Sequence, residues 1–184
     1  MAGQPLHPFT IPNAIGALRL LLIPVFLVVA LTSRDGRDPW AAALFAVIGW
    51  TDYLDGFTAR LTGQFSRLGA LLDPIIDRML VVSGMVVAWR FALLPRWALA
   101  IVIARELFML WVSRASLKRG IDIKISWLGR LGVAPIMGAP FFAMAGVHWL
   151  ALILLYVGMV LALSATAQYV ERGLRELRKL SSSA

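Results

Sequence analysis

The sequence predicts an all-α, polytopic membrane protein of six transmembrane helices, and three observations lead there. Hydrophobic residues make up 60% of the 184-residue chain and charged residues only 15%, against about 45–50% and about 25% in ordinary globular domains. The mean hydropathy is +0.79. The apolar residues are gathered into runs of roughly 18–24, the length that crosses a hydrocarbon core.

The elements follow in order. The first span, 13–32, opens at "TIPNAIGALRL", where Pro12 and Asn13 read as a stop and an N-cap. "SRDGRDP" (33–39) is a short polar turn before the second span, 39–59. "RLTGQFSR" (60–67) leads to the third, 70–90, and "RFALLPR" (90–96) to the fourth, 95–113. "RASLKRGIDIKIS" (114–126) is the longest polar segment. The fifth span, 127–145, carries Pro135 and Pro140, which are expected to kink or loosen it, and the sixth is 147–170. The tail "ERGLRELRKLSSSA" reads as a basic amphipathic helix fraying into a Ser-rich end. The domain reading is an N-terminal cytoplasmic segment 1–12, a membrane domain 13–170 and a basic cytoplasmic tail 171–184, with no second soluble domain and no internal repeat.

Lys and Arg in the loops set the orientation. With six spans, both termini share one side with loops 60–69 and 114–126, and that side collects Arg60, Arg67, Arg114, Lys118, Arg119, Lys124, Arg172, Arg175, Arg178 and Lys179. The other side has Arg34, Arg37, Arg90 and Arg96. Both termini are therefore expected in the cytoplasm, in a multi-pass protein of the cell membrane. The first twelve residues hold no Lys or Arg, and no small-residue cleavage site precedes the first run, so a secretory signal peptide is not expected. The chain has no cysteine, which excludes disulfides and thiolate metal sites. The net charge of +8 reads as topology and contact with anionic lipid, not as nucleic-acid binding.

Against this background, "TDYLDGFTARLTGQFSRLGALLDPIIDRML" (51–80) holds four of the ten acidic residues, Asp52, Asp55, Asp73 and Asp77. Asp52 and Asp55 are three apart and Asp73 and Asp77 four apart, so on helices each pair shares a face. Gly56, Ala59 and Gly63 continue the first face and Gly69 begins the second, leaving little side chain beside the carboxylates. Four such groups repel one another unless a strong counter-charge joins them. All-oxygen donors favour a hard divalent ion, Mg²⁺ or Mn²⁺, and two ions would suit phosphoryl transfer. Arg60 is placed to reach a phosphate. The blander reading has these aspartates at helix ends, paired with Arg60, Arg67 and Arg78; four carboxylates at this spacing, with small residues between them, weigh against it.

The pattern Asp52-x2-Asp55-Gly56-x2-Ala59-Arg60-x8-Gly69-x3-Asp73-x3-Asp77 resembles the signature of the CDP-alcohol phosphotransferase family at eight positions without a gap. "TIPNAIGALRLLLIPVF" is similar to the family's opening helix, and "IARELF" and "SWLGRLG" resemble segments of its phosphatidylglycerophosphate synthase and cardiolipin synthase branches. The resemblance implies six transmembrane helices, a homodimer and a dinuclear metal site open to the cytoplasm, where an alcohol displaces CMP from CDP-diacylglycerol. Asp52, Asp55, Asp73 and Asp77 would hold two Mg²⁺ ions, with Mn²⁺ as the alternative, and Asp77 would also act as general base. The implied CDP-diacylglycerol contacts are Gly56, Ala59, Arg60, Ser66, Gly69 and, on the opening helix, Asn13.

The acceptor alcohol is less legible. Arg105, Lys124 and Arg130 are candidates for binding an acceptor phosphate; Arg105, next to Glu106 inside a span, reads equally as half of a structural ion pair. The segments Ala-Arg-Glu and Ser-Trp-Leu-Gly-Arg resemble glycerol 3-phosphate enzymes, whereas "LGVAPIMGAPFFAM" is closer to the cardiolipin branch, whose acceptor is phosphatidylglycerol. Glycerol 3-phosphate is preferred narrowly, phosphatidylglycerol is second and inositol phosphate third. A small cation transporter is the reading from another class; it would place its carboxylates near the midplane and leave the Gly-Ala-Arg pattern unexplained. A membrane prenyltransferase would need a second aspartate motif, which the chain lacks. His7 and His148 are too far apart in sequence to suggest a paired site. Trp40, Trp89, Trp97, Trp127 and Trp149 are expected at the interfaces, Trp50 and Trp111 in bundle packing, and Met137, Gly138 and Gly146 at close helix contacts.

Overall fold

The computed structural model describes the backbone of residues 11–62, 67–118 and 127–182, and the side chains of 14–51, 75–112 and 131–173. Within them the chain forms six α-helices and no strand: α1 (Ile11–Thr32), α2 (Pro39–Thr62), α3 (Arg67–Arg90), α4 (Arg96–Lys118), α5 (Trp127–Met144) and α6 (His148–Ser182). Each apolar run of the sequence lies in one helix. Among the described residues, Ala14–Thr32 and His148–Gly173 are long and apolar enough to cross a membrane, while Pro39–Thr51 and Leu131–Met144 are shorter apolar stretches.

Helix ends follow from local chemistry. Asp38 caps α2: its Oδ1 accepts from the amides of Trp40 at 2.7 Å and Ala41 at 3.2 Å, and Pro39 takes the first helical position, where no N–H is needed. The N-terminus of α1 differs from expectation. The helix already includes Ile11, so Pro12 and Asn13 lie within it and are not a stop and a cap. At the end of α3, Leu93 N–H bonds Ala88 C=O at 2.9 Å and Ala92 N–H bonds Trp89 C=O at 3.2 Å, a Schellman closure with Ala92 at φ 52°. Val147 and Gly146 close α5 onto Phe142 and Ala143 in the same way, with Gly146 at φ 83°. Nothing lies within 4 Å of where a Gly146 side chain would begin. Gly146 is therefore a turn residue and not the helix contact expected of it. Both α1, at Pro24, and α5, at Pro135 and Pro140, continue through internal prolines.

The buried stripes show how the helices face one another. On α1, Gly16, Arg19, Ile23, Phe26 and Ala30 are buried, and on α6, Ala151, Leu155, Gly158, Ala162 and Ala165. Steps of three and four residues are those of one helical face. α3 is the central element, touching α1, α2, α4 and α5, while α5 and α6 pack as a hairpin. That hairpin depends on missing side chains: a Cβ at Gly158 would lie 2.9 Å from the backbone nitrogen of Ile136, and one at Gly138 would lie 2.9 Å from Leu154 Cδ1. Met137 does fill a close contact, reaching across to Gly49 on α2. Phe26 and Phe45 join α1 to α2 with ring centroids 5.2 Å apart.

The outer faces are apolar too, with Leu21, Val25 and Val28 of α1 and Ile153, Val157 and Val160 of α6 all exposed. Trp40, Trp89, Trp97 and Trp149 lie on this surface. Trp50 and Trp111, expected inside the bundle, are 67% and 68% exposed and belong to the outer face as well.

Candidate functional site

The aspartate pattern falls on two neighbouring helices. Asp52 and Asp55 lie on α2, with Gly56, Ala59 and Arg60 following in its last turns, and Gly69, Asp73 and Asp77 lie on α3. α2 and α3 are in contact. Asn13 is on α1, Arg105 on α4 and Arg130 on α5. Ser66 and Lys124 lie outside the described residues, as does His7. Of the four aspartates, Asp77 alone has a described side chain, so no group of three or more ligating side chains can be drawn among the described residues.

Asp77 is held from α1. Arg19 Nη1 donates to its Oδ1 at 2.9 Å, with the arginine side chain 1% exposed and the aspartate 44% exposed. A core position on α1 thus carries a guanidinium, and it meets the last carboxylate of the motif. The sequence reading did not single out Arg19, although a signal was present: it is the one ionisable residue in the 19-residue apolar stretch Ala14–Thr32.

One residue further along α3 the chain turns by about 100°, and Arg78 faces α4. There Arg78 Nη1 donates to Glu106 Oε2, and Arg105 Nη1 donates to Glu106 Oε1. Arg105 Nε also donates to Thr166 Oγ1 at 3.0 Å, and the Thr166 hydroxyl donates to Ala162 C=O at 2.8 Å. Glu106 is buried, and it joins α3 to α4 while Arg105 joins α4 to α6. Arg78 therefore pairs with Glu106, where the blander sequence reading had set it against the aspartates. The ion-pair reading of Arg105 is realised, with a third helix drawn in that local sequence did not reveal.

The arrangement places a half-exposed, guanidinium-bound carboxylate on α3 beside a helix bearing two more carboxylates. On its other side stands a buried network carrying two cations for one anion.

Comparison with known proteins gives a consistent picture. Residues 9–164 match the family model described as CDP-alcohol phosphatidyltransferase. The chain is 34% identical over 167 residues, 87% of its own length and 77% of the relative's, to the cardiolipin synthase (CMP-forming) of Streptomyces coelicolor. It is 33% identical over 181 residues, covering 92% of this chain and 97% of the relative, to the CDP-diacylglycerol–glycerol-3-phosphate 3-phosphatidyltransferase of Shigella flexneri. A probable phosphatidylglycerophosphate synthase of Mycobacterium tuberculosis is 32% identical over 173 residues, 90% of this chain and 82% of the relative.

Proposed function

Because this chain belongs to the CDP-alcohol phosphatidyltransferase family, we propose that it transfers the phosphatidyl group of CDP-diacylglycerol to the hydroxyl of an alcohol acceptor and releases CMP. It is a membrane transferase of phospholipid biosynthesis. The observation that carries the reaction is the eight-position aspartate pattern lying inside the family match. Glycerol 3-phosphate is our first acceptor, supported by the near full-length similarity to the Shigella enzyme. Phosphatidylglycerol is the second reading, favoured by the Streptomyces relative and by the apolar run after Arg130.

The donor set on α2 and α3 fits a divalent cation: four carboxylates, two to a helix, each pair on one helical face, with no sulfur or imidazole among them. We assign Asp52, Asp55, Asp73 and Asp77 to hold it, as Mg²⁺ or Mn²⁺ in a pair. When bound, the ions would neutralise the pyrophosphate and the departing CMP. Gly56, Ala59 and Gly69 leave the backbone open to the nucleotide, and Arg60, with Ser66 and Asn13, binds it. Asp77 takes the proton of the acceptor hydroxyl as the new oxygen–phosphorus bond forms and the bond to CMP breaks. Arg105, Lys124 and Arg130 are assigned to the acceptor phosphate. We further read all six helices as spans of a homodimer with both termini cytoplasmic, in which 13–170 is the membrane domain and the flanking segments lie outside it.

The test is CMP release by purified protein in detergent with CDP-diacylglycerol and Mg²⁺, offering glycerol 3-phosphate, phosphatidylglycerol and inositol phosphate separately. Turnover with glycerol 3-phosphate alone is expected. Chelating the divalent metal should abolish it, and Asp77→Asn should lower kcat by about 100-fold or more. Unchanged turnover after chelation would overturn the metal assignment, and full activity in Asp77→Asn would remove the general base.

A further inference from the structure

Arg19 is the most deeply buried charge among the described residues, at 1% exposure. Its neighbours on the buried stripe of α1 are Gly16, Ile23, Phe26 and Ala30, so packing of α1 on the bundle calls for no cation. Removing a guanidinium from solvent is costly unless a partner compensates it. Among the described residues it meets Asp77, whose Oδ1 accepts at 2.9 Å while 44% of the side chain stays exposed. A carboxylate gripped at one oxygen by a rigid, buried donor loses rotational freedom and keeps access to an incoming molecule. Arg78 and Arg105, by contrast, both donate to Glu106 on α4.

We propose that Arg19 is a positioning residue for Asp77: from α1 it orients the carboxylate that receives the acceptor's proton. This inference rests on the reading of Asp77 as general base. It separates a role in orientation from a role in packing, because a methionine of similar length would fill the same apolar stripe.

The experiment compares Arg19→Met and Arg19→Lys, on wild-type and Asp77→Asn backgrounds, in the full-length protein in detergent. Thermal unfolding, CDP-diacylglycerol affinity without acceptor, and kcat and KM are read for each. Arg19→Met is expected to unfold within a few degrees of wild type and to bind CDP-diacylglycerol within threefold. Its kcat should fall by about 100-fold, the size of loss that misplacing a reacting group brings. Arg19→Lys, which keeps charge without the planar fork, should recover about tenfold of that loss. On the Asp77→Asn background, Arg19→Met should cost less than twofold, since the group it positions is already gone.

A kcat for Arg19→Met within threefold of wild type overturns the proposal. So does an equal loss on both backgrounds. A fall in CDP-diacylglycerol affinity in step with the rate also overturns it, because Arg19 would then be a nucleotide ligand. If Arg19→Met does not fold, Arg19→Lys decides: a tenfold fall in kcat at unchanged affinity supports the role, and an unchanged kcat rejects it. Wild-type activity in Asp77→Asn alone would locate the failure in the general-base reading beneath.

Discussion

At the scale of single residues, Glu106 has the heaviest structural duty of the described charges. It is buried and accepts from Arg78 on one oxygen and Arg105 on the other. Removing it leaves two guanidinium groups facing each other without their shared anion. Glu106→Ala should therefore destabilise the protein by about 3–5 kcal/mol, the range for breaking a buried pair on one side. Glu106→Gln should cost less, since an amide oxygen can still accept from one arginine. Thermal unfolding in detergent measures both. Adjacent Arg105 and Glu106 were readable as a charged pair within a span, but Arg78 and Thr166 were not readable as their partners. These stand 28 and 61 residues from the groups they meet, and only the packing of three helices brings them together.

At the scale of elements, the α5–α6 hairpin is held by close backbone approach. Gly158→Ala would set a methyl group 2.9 Å from the backbone nitrogen of Ile136, an atom that cannot move aside without shifting α5. Overpacking of this kind costs about 1–3 kcal/mol. Gly132→Ala on the facing helix is the control: its nearest contact would be 3.4 Å, an ordinary separation, so its unfolding temperature should stay near wild type. Equal effects of the two substitutions would show that backbone proximity does not govern the hairpin. Local sequence marked Gly138 as a close contact correctly and Gly146 incorrectly. Both are glycines beside apolar residues, and whether such a glycine meets a neighbouring helix or turns the chain is decided by φ and by what lies opposite.

At the scale of the whole molecule, the asymmetry of Lys and Arg makes a definite expectation of sidedness. The chain has no cysteine, so single cysteines report cleanly. Asp35→Cys, in the exposed turn between α1 and α2, should react with a membrane-impermeant thiol reagent on intact cells, and Ser182→Cys only after permeabilisation. The reverse pattern would invert the topology. By itself the sequence determined the all-helical class, the family, the placement of the aspartate pattern on α2 and α3, and the six helical segments to within about five residues, except that α6 continues to Ser182 through the stretch read as a separate tail. Those properties rest on composition, run length and short spacings, which are local. Tertiary structure alone decided that Arg19 meets Asp77, that Arg78 joins Glu106 and Thr166 joins Arg105, and that Trp50 and Trp111 are exposed. The physical reason is that these helices are apolar on nearly every side, so their patterning hardly favours one rotation about the axis over another. Which residue faces which neighbour is then set by the packing of the bundle as a whole.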